Sequence, residues 1–316
     1  MLAIVAPGQG AQTPGFLAPW LELDSFATRL AALAEVSGLD LAGYGTTADA
    51  ETIRDTAVAQ PLLVAAGLAT HQELFDHGAA PEQVGVVAGH SVGELTAAAA
   101  VGVMGPEAAM VLVRERGRAM AEASAVRPTS MTAVIGGDRD EVLAAIEAVG
   151  LTPANNNGSG QIVAAGTVEQ LEQLAENAPK RARLIPLSVA GAFHTVHMEP
   201  AVDHLRSLAA EVETADPATR LLSNRDGQSV TSGRDYLDRI VDQVANPVRW
   251  DLCMETMAGL GITGLLELQP AGTLTGIAKR NLKGVELFNL NSPDQLDEAR
   301  DFVTRHGATG APATEA

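Results

Sequence analysis

Ser91 stands in Gly89-His90-Ser91-Val92-Gly93, a G-x-S-x-G pattern that suits a serine nucleophile. A sharp turn from strand to helix forces such a serine into strained dihedrals, and small residues two positions either side let the backbones pass. The hydroxyl then stands above the sheet. The N–H of Val92 opens the following helix and points at a developing oxyanion with the helix dipole behind it. The five letters alone are weak evidence, and the plainer alternative is a glycine-rich turn with a solvated serine. The flanks favour the nucleophile. Val84-Gly85-Val86-Val87-Ala88 reads as a buried strand, and an alanine-rich helix runs on from the motif to about Val101.

A serine hydroxyl needs a base, and the chain offers seven histidines. His90 adjoins the nucleophile and is expected to turn its side chain away. His71, His77 and His306 lie in polar, helix-end or tail contexts and read as surface residues, and His204 falls on an amphipathic helix. His194 and His197 remain, in Ala192-Phe193-His194-Thr195-Val196-His197. Their i, i+3 spacing could suggest metal ligands, but no cysteine or acidic cluster stands beside them, so no metal is expected. His194 follows a strand end and a glycine, a loop position where active-site groups collect, which gives it a modest lead over His197. The single cysteine, Cys253, sits in the apolar run from Trp250 to Met257 and reads as a small buried hydrophobe.

Elements of two kinds must position these residues. The chain opens with a short apolar strand, Leu2 to Ala6, and a glycine-rich loop, Pro7-Gly8-Gln9-Gly10-Ala11-Gln12. Helical patterns follow over about 16–36 and 58–77, the second with Pro61 near its start, and then over 106–123. Residues 130–190 change character. Strand patterns at 131–135, 151–155, 161–165 and 183–189 enclose helices at 138–149 and 167–177, the latter opened by a Thr167/Gln170 capping box. The order β-α-β-β-α-β is that of a ferredoxin-like unit. Helices near 200–212 and 236–244 and strands near 221–223 and 264–268 complete the pattern.

With 316 residues, 46% of them hydrophobic and 19% charged, the chain can bury a large core. The formal charge of −18 excludes holding a nucleic-acid backbone by bulk electrostatics. No apolar run approaches a membrane span, and the first residues lack the basic leader of a signal peptide. One cysteine allows no internal disulfide, which fits a reducing cytoplasm.

Several motifs occur together: Pro7 through Gln12, Gln60-Pro61, Gly89 through Glu94, Arg116-Gly117, Asn155 through Gln161, Gly191-Ala192-Phe193-His194, Asn246-Pro247-Val248-Arg249-Trp250 and Gly272-Thr273-Leu274. In that order and spacing they resemble the malonyl-CoA:acyl carrier protein transacylases, over nearly all of the chain to about residue 290. The resemblance implies an α/β fold: a hydrolase-like core with a parallel sheet flanked by helices (1–128 and 191–306) and an inserted ferredoxin-like α+β subdomain (129–190). Residues 307–316 are expected to form a disordered tail. It implies Ser91 as acyl carrier, His194 as base, and the N–H groups of Gln9 and Val92 as oxyanion hole. It also implies Arg116, Phe193 and Gln60 as substrate-contacting residues. On spacing alone Arg116, flanked by Arg114 and Arg118, reads as a solvated helix residue; only the resemblance makes it the partner of malonate's free carboxylate. That pairing makes physical sense, since a guanidinium grips a carboxylate with two parallel hydrogen bonds. In the family a phenylalanine at the position of Phe193 goes with malonyl, its ring filling the space an α-methyl would need. The histidine is expected to be oriented by a backbone carbonyl, near Arg249, with no aspartate completing a triad. One departure stands out: Gln269-Pro270-Ala271-Gly272 replaces the family's frequent Gly-Pro-Gly.

The implied activity is ping-pong transfer of malonyl from malonyl-CoA to the phosphopantetheine thiol of holo acyl carrier protein, for fatty-acid or polyketide synthesis. It needs no metal or bound cofactor and is expected of a cytoplasmic monomer. Candidate docking cations for an acidic carrier protein are Arg114, Arg118, Lys180, Arg181, Arg183, Lys279 and Arg280. The rivals are a serine esterase or patatin-like lipase, a catalytically silent carrier-binding protein and, within the family, a methylmalonyl transferase.

Overall fold

The computed structural model describes residues 1–76, 81–189 and 191–307. His77 and residues 308–316 of the expected tail lie outside them. Gly307, where the tail was expected to begin, ends a helix, Leu296–Gly307.

The strands in chain order are β1 (Leu2–Ala6), β2 (Val84–Gly89), β3 (Thr129–Gly136), β4 (Thr152–Asn156), β5 (Gln161–Thr167), β6 (Ala182–Pro186), β7 (Leu221–Leu222), β8 (Ser229–Val230), β9 (Val248–Arg249), β10 (Gly264–Glu267) and β11 (Glu286–Asn289). The larger sheet has the order β11-β10-β1-β2-β7-β8. All its pairs are parallel except β7–β8. β1 is buried throughout, and its period of two shows in the packing: Leu2, Ile4 and Ala6 join one core, Ala3 and Val5 the other. Helices therefore cover both faces, as a parallel sheet requires.

The smaller sheet has the order β6-β3-β5-β4-β9. Its first four strands are antiparallel neighbours, in the arrangement of a ferredoxin-like βαββαβ unit. They carry a core of their own, built from Val134, Val142, Ile146, Leu151, Ile162, Ala164 and Leu174. The helix Val168–Glu176 opens with the expected capping box. The fifth strand, β9, comes from the later part of the chain and lies parallel to β4.

One long helix is shorter than its sequence pattern. The first long helix runs over Asp24–Ser37 and not from residue 16, because Pro14, Gly15 and Pro19 keep the approach in turns. At the departure from Gly-Pro-Gly, the N–H of Ala271 donates to Asn291 Oδ1 at 2.7 Å, and positive φ falls on Gly272 (136°). Alanine is thus accommodated at position 271.

Candidate active site

β2 ends at Gly89 and the next helix is Gly93–Ala100, so Ser91 sits on the expected elbow. Its φ is 53°, in the left-handed region that an L-residue occupies only at a cost. The glycines are sterically required. A Cβ on Gly89 would come within 2.0 Å of the Gly93 backbone, and one on Gly93 within 2.3 Å of the Ala6 carbonyl oxygen. Asn224, just past β7, clamps the turn: its Oδ1 accepts from the Ser91 N–H and its Nδ2 donates to the Gly89 carbonyl, both at 2.8 Å. His90 does not turn away. Its buried ring lines the same cavity as Ser91, held at 2.9 Å from Asn157 Oδ1 and set edge-on to Trp250.

His194 Nε2 lies 2.8 Å from Ser91 Oγ. Its Nδ1 lies 2.8 Å from the carbonyl oxygen of Gln243. Gln243 is the last residue of the helix Gly233–Gln243, where carbonyls lack intrahelical partners and the dipole is negative. That helix end, and not the neighbourhood of Arg249, supplies the orienting acceptor. It sets Nδ1 as the protonated nitrogen, leaves Nε2 free to accept the serine proton, and favours the imidazolium that forms. Burial, and after it the charge of Arg116, pushes the His194 pKa down to about 3, so the imidazole is neutral. A free imidazole would give an acid limb near pH 6.5; here that limb is displaced to lower pH.

His194 occupies a loop of irregular backbone, with φ of 62° at the residue itself. Its N–H bonds the Val244 carbonyl at 3.2 Å, the Ala192 N–H bonds Thr129 Oγ1 at 3.0 Å, and Thr195 Oγ1 donates to the Ala192 carbonyl at 2.6 Å. His197 falls in the following turn and does not line the cavity. Of the histidines read as surface residues, His306 is buried between Thr263 and Glu286, and His71 is half-buried against Phe75; both exploit the apolar side of an imidazole.

Arg116 is not a solvated helix residue: it is 1% exposed. It projects inward from the helix Pro106–Ser124, while Arg114 and Arg118 pair with Glu115 outside. Gly117 makes this possible, because a Cβ there would meet the Thr56 carbonyl oxygen at 2.8 Å. The close helix–helix approach sets Arg116 Nη1 at 2.7 Å from Gln60 Oε1 and Nη2 at 3.4 Å from Ser91 Oγ. The buried Nε has no hydrogen-bond partner among the described residues. Desolvation by burial lowers the guanidinium pKa to about 10, and the nearby Glu94 acts in the opposite sense. A buried cation with an unused donor is arranged for an incoming anion.

Gln9, Gln60, Val92, Met120, Met131, Asn155, Phe193 and His194 surround Ser91 in a small cavity of about 70 Å³. Gln9, His90, Asn155, Leu187 and Val189 also line an adjoining cleft of about 410 Å³. Ser91, His194, Gln9, Val92, Phe193 and Gln60 therefore converge here, with Arg116 reaching in behind Gln60.

Residues 4–302 match the family model of the acyl transferase domain. The malonyl CoA-acyl carrier protein transacylase of Mycobacterium tuberculosis is 52% identical over 298 residues, which is 94% of this chain and 99% of that protein. The chain belongs to the malonyl CoA-acyl carrier protein transacylase family. A crystal structure of the M. tuberculosis transacylase superposes with a TM-score of 0.91 at 51% identity, covering 95% of this chain and 99% of that one. A second solved structure is described as a type II PKS acyl-carrier protein in complex with its malonyl-transacylase. It has a TM-score of 0.88 at 31% identity and covers 95% of this chain and 99% of that one.

This transacylase holds site residues that its sequence did not signal. Beneath the elbow lies Glu94, 1% exposed, with its pKa pushed up to about 8 by burial. It contacts the Asn224 N–H, the Tyr236 hydroxyl and the Gln243 side-chain amide. Met120, Met131 and Asn224 come from three separate elements, and only their tertiary placement makes them part of the site. Among the described residues, no group of three or more His, Cys, Asp or Glu could hold a metal, and no helix is long and apolar enough to cross a membrane.

Proposed function

We propose that the chain transfers malonyl from malonyl-CoA to the phosphopantetheine thiol of holo acyl carrier protein, through a malonyl-Ser91 ester. The observation that carries this reading is the buried Arg116, with an unpartnered Nε, facing a serine–histidine dyad. A carboxylate one methylene away from a thioester carbonyl suits that pairing, and acetyl, which lacks it, leaves the cation unmatched.

In the first half-reaction His194 Nε2 accepts the Ser91 Oγ proton as Oγ attacks the thioester carbon. The N–H groups of Gln9 and Val92 serve as oxyanion donors; both residues line the cavity at Ser91, and Val92 caps the helix that follows. Collapse breaks the C–S bond, and the coenzyme A sulfur leaves with the proton held by His194. In the second half, the carrier thiol gives its proton to His194 and attacks the ester carbonyl, and Ser91 Oγ leaves and is reprotonated. Gln60 sets the Arg116 plane, and the buried ring of Phe193 fills the space an α-methyl would need. This leaves malonyl favoured over methylmalonyl.

The product is an extender unit for fatty-acid or polyketide synthesis. Lys279 and Arg280 are the favoured docking cations. They are exposed on the last turn of the helix Thr273–Asn281, whose Thr273, Leu274 and Ile277 line the cleft, and Arg280 reaches Gln161 there at 3.3 Å. The reading includes a cytoplasmic monomer and a division into 1–128 plus 191–306 and an inserted 129–190. Intact mass tests it: malonyl-CoA should add one malonyl group, holo carrier protein should remove it, and Ser91→Ala should abolish both. Hydrolysis of simple esters without transfer to thiols would instead favour an esterase.

A further inference from the structure

We propose that Glu94 is a positioning residue for the transfer reaction: its single carboxyl group holds the support of the nucleophile and the support of the base in register. The inference rests on the roles given above to Ser91 and His194. Its carboxyl group touches neither of them; only its backbone N–H meets the Ser91 carbonyl, at 2.9 Å. One carboxyl oxygen, Oε1, accepts from the backbone N–H of Asn224 at 2.7 Å and faces the Tyr236 hydroxyl at 3.4 Å. Oε2 accepts from the side-chain amide of Gln243. Asn224 clamps the elbow through the Ser91 N–H and the Gly89 carbonyl, and Gln243 carries the carbonyl that orients His194.

Donor and acceptor roles in this network are determined link by link. Ser91 N–H can only donate and the Gly89 carbonyl can only accept, so the Asn224 amide has one orientation. The Gln243 group at 3.2 Å from Asn224 Oδ1 must then be its NH2, and the same NH2 faces Glu94 Oε2. Position 94 therefore meets a donor on each side, from Asn224 and from Gln243. The ionised carboxylate, with two acceptor oxygens, satisfies both; an amide of the same size, like the protonated acid, cannot. Burial excludes water that could repair the mismatch.

Glu94→Gln tests this, read above pH 8, where the native carboxyl group is ionised, as the rate of coenzyme A release on acylation of Ser91 together with thermal unfolding. The acylation rate should fall about tenfold or more, with KM for malonyl-CoA within about twofold of native, since the residue meets no substrate. Should Glu94→Gln not fold, Glu94→Asp keeps both acceptors but withdraws them by one methylene, and should give the same split between kcat and KM. A native acylation rate in a folded Glu94→Gln protein would overturn the proposal. Ser91→Ala separates the two levels. If transfer survives Ser91→Ala, the functional reading itself fails; if Ser91→Ala is inert and Glu94→Gln is fully active, only this inference fails.

Discussion

The two halves of the proposed catalytic pair, Ser91 and His194, are built in opposite ways. The turn at Ser91 is made mostly by its own neighbours, with Asn224 as a remote clamp: a strand stops, two glycines remove the clash, and a helix starts within two residues. His194 is placed by strangers. Its loop is pinned by Thr129, Val244 and Gln243, which lie 49 to 63 residues away along the chain from the loop residues they bond. Both residues hold positive φ, yet in one case local sequence accounts for the strain and in the other tertiary contacts do. A nucleophile of this kind is written as a motif. A base of this kind is written as an address that only the folded chain can read.

The sharpest test of that contrast removes each group. Ser91→Ala should leave no acyl-enzyme by mass, and His194→Ala should slow acylation about 10³- to 10⁴-fold while leaving the elbow intact. Arg116→Ala comes next. Malonyl transfer should lose about 10²-fold in kcat/KM while the ratio of acetyl to malonyl turnover rises, measured with the two thioesters side by side. Gly93→Ala strikes the local device: the new methyl meets the Ala6 carbonyl, so thermal unfolding should reveal a loss of about 1–3 kcal/mol along with activity. Thr129→Val strikes the remote one. It removes the acceptor for the Ala192 N–H, and about tenfold of kcat should go with KM little changed, whereas Thr129→Ser should behave as native. If Thr129→Val costs nothing, the base is held by its own loop and the contrast dissolves.

The smallest effect is on stability against pH. His194 and His71 have folded pKa values near 3 and 4, below the unfolded value of 6.5. Between pH 6.5 and those values the unfolded chain binds more protons, so stability should fall as pH falls through that window. Glu94 works in the other sense. Its folded pKa near 8 lies above 4.5, so its share is present below pH 4.5 and is lost as pH rises through 8. The unfolding midpoint at pH 7.5, 6 and 4.5 reads the balance, and Glu94→Gln should remove the alkaline part.

The fold was legible where periodicity is local. β1, β2, the βαββαβ order and the Thr167/Gln170 cap all follow from residues near one another. β9 was not, because two residues following a proline carry no strand pattern and become a strand only by lying beside β4. β11 and the helix Leu296–Gly307 likewise passed unread. In the site, Ser91 showed through its glycines. Arg116 looked like a surface residue because burying a cation depends on Gly117 and Gln60, which lie on helices whose packing the spacing does not reveal. Asn224, Gln243 and Glu94 have no local mark, since each works through a partner far along the chain.

β9 also bears on how the cleft can breathe. It pairs with Asn155 and Asn156 of the smaller sheet, and the N–H of Arg249 bonds the Asn224 carbonyl at 2.7 Å. The smaller sheet is thereby tethered to the residue that grips the turn of Ser91. A hinge motion widening the mouth would tug on the nucleophile's own anchor, so access for a bulky carrier must come from side chains and loop edges, with the two sheets moving as one frame.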